Sequence, residues 1–534
     1  MTGTPVQASA ITLNGSPTEL GNHFPLTVLV SDSSSPAQYN SITYYIDILP
    51  AGNPPAEIVA DASQPGAAMT KDQLGANASN TDMVSIDTNY LPLLSGAGLA
   101  MLRWPGGIIS DYYHWQTNVY GSCNPYGLGA ATSFDSWMQA ITAPLSVDAA
   151  ITVNYGTNAA CTGPGDPNEA AAWVNYANNT QHYGVKLWTV GNEMYSSSSP
   201  DLDPAPHDPT TYANRVATLF YPLMKAQDST IMVGVDMDFG NQVFNVSTDD
   251  WDQIVLAQAK YDFVEMHYYP ESGAVTAAAD MQLLTTSSNQ LAANFAMANA
   301  MLALNNHPGI PIYLGEFDRT SGGSSGSPGH ESTSVVDALF TAVVLGEATK
   351  AGVPMITSWT SVDRCSPDSL NSAVSSAYGW QNFGSWGLFA NGEAGFTAGS
   401  VNYPSCPSQG IPAYTVFPKG RVYQLLSQYI LPGEHVIASA STDSSIRVYA
   451  ATNKGGYALL LINTDETSTH DLPVTITNAG GSSYSAITLT YGKAQYDLSQ
   501  SGTWAGAVSG NLGTVGTNFT VSLPPWSVTL VQLH

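Results

Sequence analysis

The stretch that decides the fold is KLWTVGNE, residues 186–193. Leu187, Trp188, Thr189 and Val190 carry no charge, and Gly-Asn-Glu ends the run. The segment is too short for a helix and does not alternate, so it reads as a strand covered on both faces. Seven more segments share this shape: QLGANAS (73–79), LAMLRWPGG (99–107), DAAITVNYG (148–156), IMVGVDMD (231–238), YDFVEMHYYP (261–270), PIYLGEFD (311–318) and MITSWTS (355–361). Helical signals lie between them. Asp166-Pro167-Asn168-Glu169 reads as an N-cap, a proline at the first helical position and a capping-box Glu. Val335, Val336, Leu339, Phe340, Val343 and Val344 recur at helical spacing, with Gly352 as the stop, and 288–307 behaves similarly. Eight strand–helix repeats predict an α/β fold, a (β/α)8 TIM barrel.

The pattern changes at about residue 413. HVIASAS, SIRVYAATN, GYALLLINTD, LPVTITNA, AITLTYG, NFTVSLP and SVTLVQL are short strands separated by turn residues, and they predict an accessory β-sandwich domain. ITLNG, PLTVLVSD, ITYYIDILP and EIVADA near the N-terminus are also strand-like, and some are expected to join that sandwich. The expected division is 1–66 for N-terminal strands, 67–412 for the barrel and 413–534 for the sandwich.

The chain of 534 residues is 43 % hydrophobic, with 14 Lys and Arg against 41 Asp and Glu, a formal net charge of -27. So negative a surface repels nucleic acid and anionic membranes, and neither is an expected partner. No apolar run reaches membrane-spanning length. Cys123, Cys161, Cys365 and Cys406 form no C-x-x-C pair, which argues against zinc, and they allow three disulfide pairings. Cys123–Cys161 with Cys365–Cys406 is the expected one, and it requires an oxidising compartment. The first residues lack the charged start and apolar core of a signal peptide, so the sequence reads as a mature secreted protein with an added initiator Met.

In this barrel fold the chemistry sits at the C-terminal ends of the strands. Those ends supply Arg103 and Trp104 on strand two, Asn154 on strand three, Asn192 and Glu193 on strand four, His267 and Tyr269 on strand six, Glu316 on strand seven and Trp359 on strand eight. His114 follows the Arg-Trp-Pro-Gly-Gly turn. Glu193 and Glu316 stand three strands apart in a ring of eight, so they can face each other across the mouth. Facing carboxyls are the equipment of glycoside hydrolysis: one protonates the leaving oxygen, the other attacks the anomeric carbon or activates water.

With Asn192-Glu193 closing strand four and Glu316 closing strand seven, the chain resembles the clan A retaining glycoside hydrolases. Arg103-Trp104-Pro105-Gly106-Gly107, followed by Tyr113, His114 and Trp115, resembles families 51 and 79. Gly191-Asn192-Glu193-Met194 is close to the family 51 pattern. The former family includes α-L-arabinofuranosidases and endoglucanases, the latter β-glucuronidases. The resemblance covers about residues 57 to 534. It implies that Glu193 is the acid/base, Glu316 the nucleophile, and that Asn192 hydrogen-bonds the sugar 2-hydroxyl. Arg103 and Tyr269 would hold Glu316 ionised, and an apolar wall would keep Glu193 protonated. One departure is Glu316-Phe317-Asp318, where family 51 arabinofuranosidases usually carry Glu-Trp-Asn.

The expected activity is that of an endo-β-glycanase on glucan or xylan of the plant cell-wall type, because residues 362–412 bring Trp380, Phe383, Trp386 and Phe389 near the mouth. The alternative for that loop is a segment that packs on itself, stapled by a disulfide. The alternatives for the activity are an exo-acting α-L-arabinofuranosidase, a β-glucuronidase and a non-catalytic carbohydrate-binding protein. No cofactor or catalytic metal is expected, though a structural calcium would suit so acidic a chain. The protein is expected to be a monomer.

Overall fold

The computed structural model describes residues 21–31, 39–49, 56–81, 83–125, 129–130, 132–239, 250–271, 277–322, 328–367, 381, 383–398 and 401–534. Among these, eight parallel strands form the barrel. In chain order they are Gly75–Asn77, Met101–Trp104, Asp148–Val153, Leu187–Val190, Met232–Met237, Phe263–Tyr268, Ile312–Phe317 and Thr357–Ser358. Each pairs with its neighbour in sequence order, and strand eight also pairs with strand one. The backbone N–H of Leu314 donates to Met355 (3.1 Å), which closes the ring between strands seven and eight. Strands two, four, six and seven are buried along their whole length, as both-face coverage requires.

The outer layer explains the helix signals. Asp166 caps Pro167–Val174 by accepting from the Asn168 N–H. Glu169 does not close a capping box, because its carboxylate binds His114 Nδ1 at 2.9 Å. The helix Val335–Lys350 is buried except at Lys350, since it lies between the barrel and the β-domain. Tyr449 of the β-domain donates to Glu347 of this helix at 3.0 Å. Gly352, with φ of 76°, follows the helix end.

Among the described residues, the accessory domain is one nine-stranded sheet that folds over itself around Ile58, Val448, Leu459, Leu472, Val521 and Val531. Ile58–Ala68 is its N-terminal contribution: it runs antiparallel to His435–Ser441 and parallel to His470–Thr477. Gly21–Ser31 and Tyr39–Ile48 pair with each other instead. Their hairpin lies on the helix Ala277–Leu304, where the Tyr45 hydroxyl donates to the Asn289 carbonyl. ITLNG lies outside the described residues.

Both expected disulfides are present, Cys123–Cys161 and Cys365–Cys406. The second staples the loop after strand eight, which has a small core of its own from Phe383, Ala390, Ile411 and Phe417. No helix among the described residues is long and apolar enough to cross a membrane.

Candidate active site

Arg103 is the hub. Its side chain is fully buried at the inner face of strand two. Nη1 donates to Asn77 Oδ1 (3.0 Å) and Glu316 Oε1 (2.8 Å), Nη2 to Asn192 Oδ1 (2.8 Å), and Nε lies 2.8 Å from Glu265 Oε1. One planar guanidinium thereby sets the relative position of strands one, two, four, six and seven. Burial alone would oppose its charge, but Glu265 and Glu316 hold it cationic and push its pKa above the ordinary range.

Glu316 is nearly as buried. Its second oxygen accepts from the Tyr269 hydroxyl at 2.7 Å and lies 3.7 Å from His267 Nδ1. Burial, with the Glu193 charge, raises the Glu316 carboxyl above its ordinary value; His267, Arg103 and the Tyr269 hydrogen bond oppose that rise without cancelling it, so Arg103 and Tyr269 do not fully hold Glu316 ionised as expected.

Glu193 sits at φ of 50°, left-handed backbone that costs a non-glycine residue free energy and recurs at functional sites. Gly191, two residues earlier, also has positive φ (81°), so the chain turns sharply off strand four and aims Glu193 at the mouth. Its side chain is 20 % exposed, and its Oε1 lies 2.8 Å from His267 Nδ1. The wall expected to be apolar is therefore a polar one, made by an imidazole. Oxygen and nitrogen atoms of Glu193, His267 and Glu316 lie within 4.8 Å of one another. Three such groups could in principle hold a metal ion. Here the carboxylates already have Arg103 and His267 as partners, and His267 Nδ1 faces both Glu193 and Glu316, so a metal ion would have to displace those contacts.

His267 is fixed from both ring nitrogens, with Nε2 3.4 Å from Glu265. Burial disfavours its charge, but Glu316, Glu193 and Glu265 outweigh burial and raise it to about 10. Glu265 is the reverse case. Burial would raise it, yet Arg103, His267 and the Thr189 hydroxyl (2.6 Å) lower it to about 2. Gly315 gives Glu265 its space, since a Cβ there would stand 2.3 Å from the Glu265 carboxylate.

Asp111 anchors the floor of the strand-four turn. Its carboxylate accepts from the backbone N–H groups of Tyr155, Gly156 and Asn192 at 2.9, 3.2 and 2.8 Å. Burial pushes it up to about 7 against those three donors. Asn77, Asp111 and Glu265 were missed in the sequence. Glu265 carried a signal, a lone acid two residues before His267 and so on the same strand face. Asp111 carried none, because its partners are backbone groups distant in the chain.

Arg103, Asn192, Glu193, His267, Tyr269 and Glu316 thus converge. Four other expected site residues do different work. Trp104 is fully buried on the outer face of strand two, stacked on Trp137 (5.4 Å between centroids) and edge-on to Tyr113 (5.3 Å), so it faces the helices and not the mouth. Alternation along the strand forces this, since Arg103 points inward. Asn154 binds the Tyr113 carbonyl and the Thr157 N–H and shapes its own loop. His114 is buried against Glu169. Trp359 is half-buried at the end of strand eight, with a cis peptide bond to Thr360, and lines a cavity beside the mouth. In the following loop Phe383 and Phe389 are buried, Trp386 is half-buried in that same cavity, and Trp380 lies outside the described residues.

No protein-family model matches the chain, and no curated protein matches it in sequence. Solved structures do match it in shape. An α-L-arabinofuranosidase from Thermotoga maritima, in complex with arabinose, has a TM-score of 0.64 at 16 % identity, covering 90 % of this chain and 100 % of its own. A family 51 α-L-arabinofuranosidase from Bifidobacterium longum has a TM-score of 0.65 at 15 % identity, with the same coverage. A family 44 xyloglucanase from Paenibacillus polymyxa has a TM-score of 0.60 at 14 % identity, covering 90 % and 99 %. The fold is the one shared by these clan A glycoside hydrolases. The likeness extends over barrel and β-domain together.

Proposed function

We propose that the protein is a retaining glycoside hydrolase with Glu316 as nucleophile and Glu193 as acid/base. The observation that carries this is the convergence of Glu193, His267 and Glu316 within 4.8 Å. Retaining enzymes hold their carboxyls about 5–5.5 Å apart, whereas inverting ones leave about 6.5–9.5 Å for a water. A Glu316 oxygen attacks the anomeric carbon while Glu193 gives its proton to the departing oxygen. Water then enters, Glu193 takes its proton, and the water oxygen bonds to the anomeric carbon as the glycosyl–Glu316 bond breaks. Arg103 and Tyr269 hold Glu316 in place through both steps. Asn192, its carbonyl oxygen taken by Arg103, offers its amide N–H to a sugar hydroxyl. The reaction as proposed draws on no cofactor.

The favoured substrate is a β-glucan or xylan cut internally, supported by Trp386 beside the mouth. An exo-acting α-L-arabinofuranosidase is the second reading, supported by the Arg-Trp-Pro-Gly-Gly motif and by the fold shared with arabinofuranosidases. A β-glucuronidase needs a cation for the substrate carboxylate, and Arg103 is already spent on four partners of its own. Two converging acids are more than a non-catalytic sugar binder requires. Two disulfides suit secretion, and we take the protein to act as an extracellular monomer.

Azide separates the two roles. With an aryl glycoside that the wild type hydrolyses, Glu193→Ala should be accelerated by azide and give a glycosyl azide of retained configuration. Glu316→Ala should give the inverted azide. Exchanged outcomes would exchange the assignments, and undiminished hydrolysis by Glu316→Ala would reject the mechanism.

A further inference from the structure

Resting on the glycosidase reading, we propose that Asp111 and, from the opposite side, Ser199 are positioning residues for the acid/base. They hold the strand-four turn so that Glu193 delivers its proton to the glycosidic oxygen.

Glu193 carries left-handed backbone (φ 50°), a conformation that persists only where the surroundings over-determine it. The residue before it supplies that constraint. Asn192 is gripped at three points by three other side chains. Its N–H donates to Asp111 Oδ2 (2.8 Å), its carbonyl accepts from the Ser199 hydroxyl (2.5 Å), and its side-chain oxygen accepts from Arg103 Nη2 (2.8 Å). On the far side of Glu193, the Met194 N–H faces Asp236 Oδ2 at a longer 3.4 Å. With both backbone groups of Asn192 held, the turn cannot relax and swing Glu193 away from the mouth.

Asp111 is suited to this work because it is itself fixed. It is fully buried, and its other oxygen accepts from the Tyr155 and Gly156 N–H groups (2.9 and 3.2 Å) at the exit of strand three. Its own carbonyl accepts from the Thr157 hydroxyl (2.8 Å). Gly156 permits the close approach, since a Cβ there would stand 3.0 Å from the Asp111 Cβ and 2.1 Å from the Pro200 carbonyl oxygen. N–H donors bind a carboxylate more strongly than a neutral acceptor.

One stretch of chain, 103–111, thereby reaches both facing carboxyls. Arg103 at its start binds Glu316 Oε1 (2.8 Å) and the Asn192 side chain, and Asp111 at its end binds the Asn192 backbone. The spacing between Glu193 and Glu316 is therefore referred to a single segment, which is tightened by the 3-10 helix Gly107–Tyr112. A misplacement of about 1 Å can cost on the order of 100-fold in rate. That cost falls unequally. Proton donation matters most when the leaving group is poor, so a loosened Glu193 spares a substrate whose leaving group departs unaided.

The test uses phenyl and 3,4-dinitrophenyl glycosides of cellobiose, xylobiose and L-arabinofuranose, in the series that the wild type cleaves. Asp111→Asn keeps the volume but offers one oxygen, so it cannot accept from Asn192 and from the strand-three N–H groups together. Its kcat/KM should fall at least ten-fold further on the phenyl than on the dinitrophenyl glycoside. Ser199→Ala, a milder change, should show the same bias more weakly. In a Glu193→Ala background the bias should vanish, because no acid is left to position. Equal falls on both leaving groups, or a bias that survives in Glu193→Ala, overturn the positioning role and leave a purely structural brace. Should Asp111→Asn not fold, Ser199→Ala decides by the same two readouts. Failure of the glycosidase reading looks different: the wild type then cleaves none of the glycosides, or Glu193→Ala cleaves the phenyl glycoside as fast as the wild type.

Discussion

His267 Nδ1 stands 2.8 Å from Glu193 and 3.7 Å from Glu316, so a single imidazole lies between the two facing carboxyls. Its pKa rises from the ordinary 6.5 to about 10, because Glu316, Glu193 and Glu265 outweigh burial. The ring is therefore a cation throughout the neutral range. Its stabilising contribution is fully present below about pH 6.5 and is lost as pH rises through about 10. Nitrogen-15 NMR, with His267→Gln to assign the ring, should show both nitrogens protonated from pH 5 to 8. A midpoint near 6.5 would contradict the charge network.

Arg103 should be intolerant of replacement. Arg103→Met leaves Glu265 and Glu316 buried without their main counter-charge, and breaking a buried pair costs about 3–5 kcal/mol. Urea unfolding should register that loss, together with loss of turnover. Arg103→Lys keeps the charge but lacks the planar fork that reaches four side chains. It should recover part of the stability and little of the activity. A Met variant as stable as the wild type would show that the hub is dispensable.

Most of this arrangement was readable in the sequence, for identifiable reasons. Barrel strands announce themselves as short, mostly apolar runs, and the strand ends pointed to Arg103, Asn192, Glu193, His267, Tyr269 and Glu316. Alternation was the signal that went unused. Applied to Met101–Trp104, it puts Arg103 inside and Trp104 outside, where four aromatic rings surround it. The His114–Glu169 pair spans 55 residues and replaces a local capping box, so no local rule could find it. The pairing of Gly21–Ser31 with Tyr39–Ile48 is a simple hairpin, a nearer partner than the sandwich expected for some of these strands.

The assignment of Trp104 to the core has its own test. Trp104→Ala should destabilise the fold by about 3–5 kcal/mol, the usual cost of deleting a large buried aromatic side chain. Trp104→Phe should lower the melting temperature but leave KM close to that of the wild type. A raised KM at unchanged stability would return Trp104 to the substrate.

The two disulfides should differ in accessibility and in consequence. Cys123 is exposed, whereas Cys365 and Cys406 are fully buried in the core of the loop after strand eight. Mild reductant followed by alkylation should therefore label Cys123 and Cys161 first, as peptide mass spectrometry would read. The sequence separations are similar, 38 and 41 residues, so each bridge removes comparable loop entropy from the unfolded chain, worth about 2–4 kcal/mol. Stability alone will not distinguish them, but function should. Cys406 Sγ lies 3.7 Å from the Asp363 carbonyl, and Asp363 in turn fixes the backbone of Trp386. Replacing Cys365 and Cys406 by Ser should loosen that tryptophan and reduce turnover of oligosaccharides more than turnover of aryl monoglycosides. The Cys123→Ser/Cys161→Ser double variant should lower both to the same degree. An equal loss on both substrates in the Cys365/Cys406 variant would detach the loop from substrate binding.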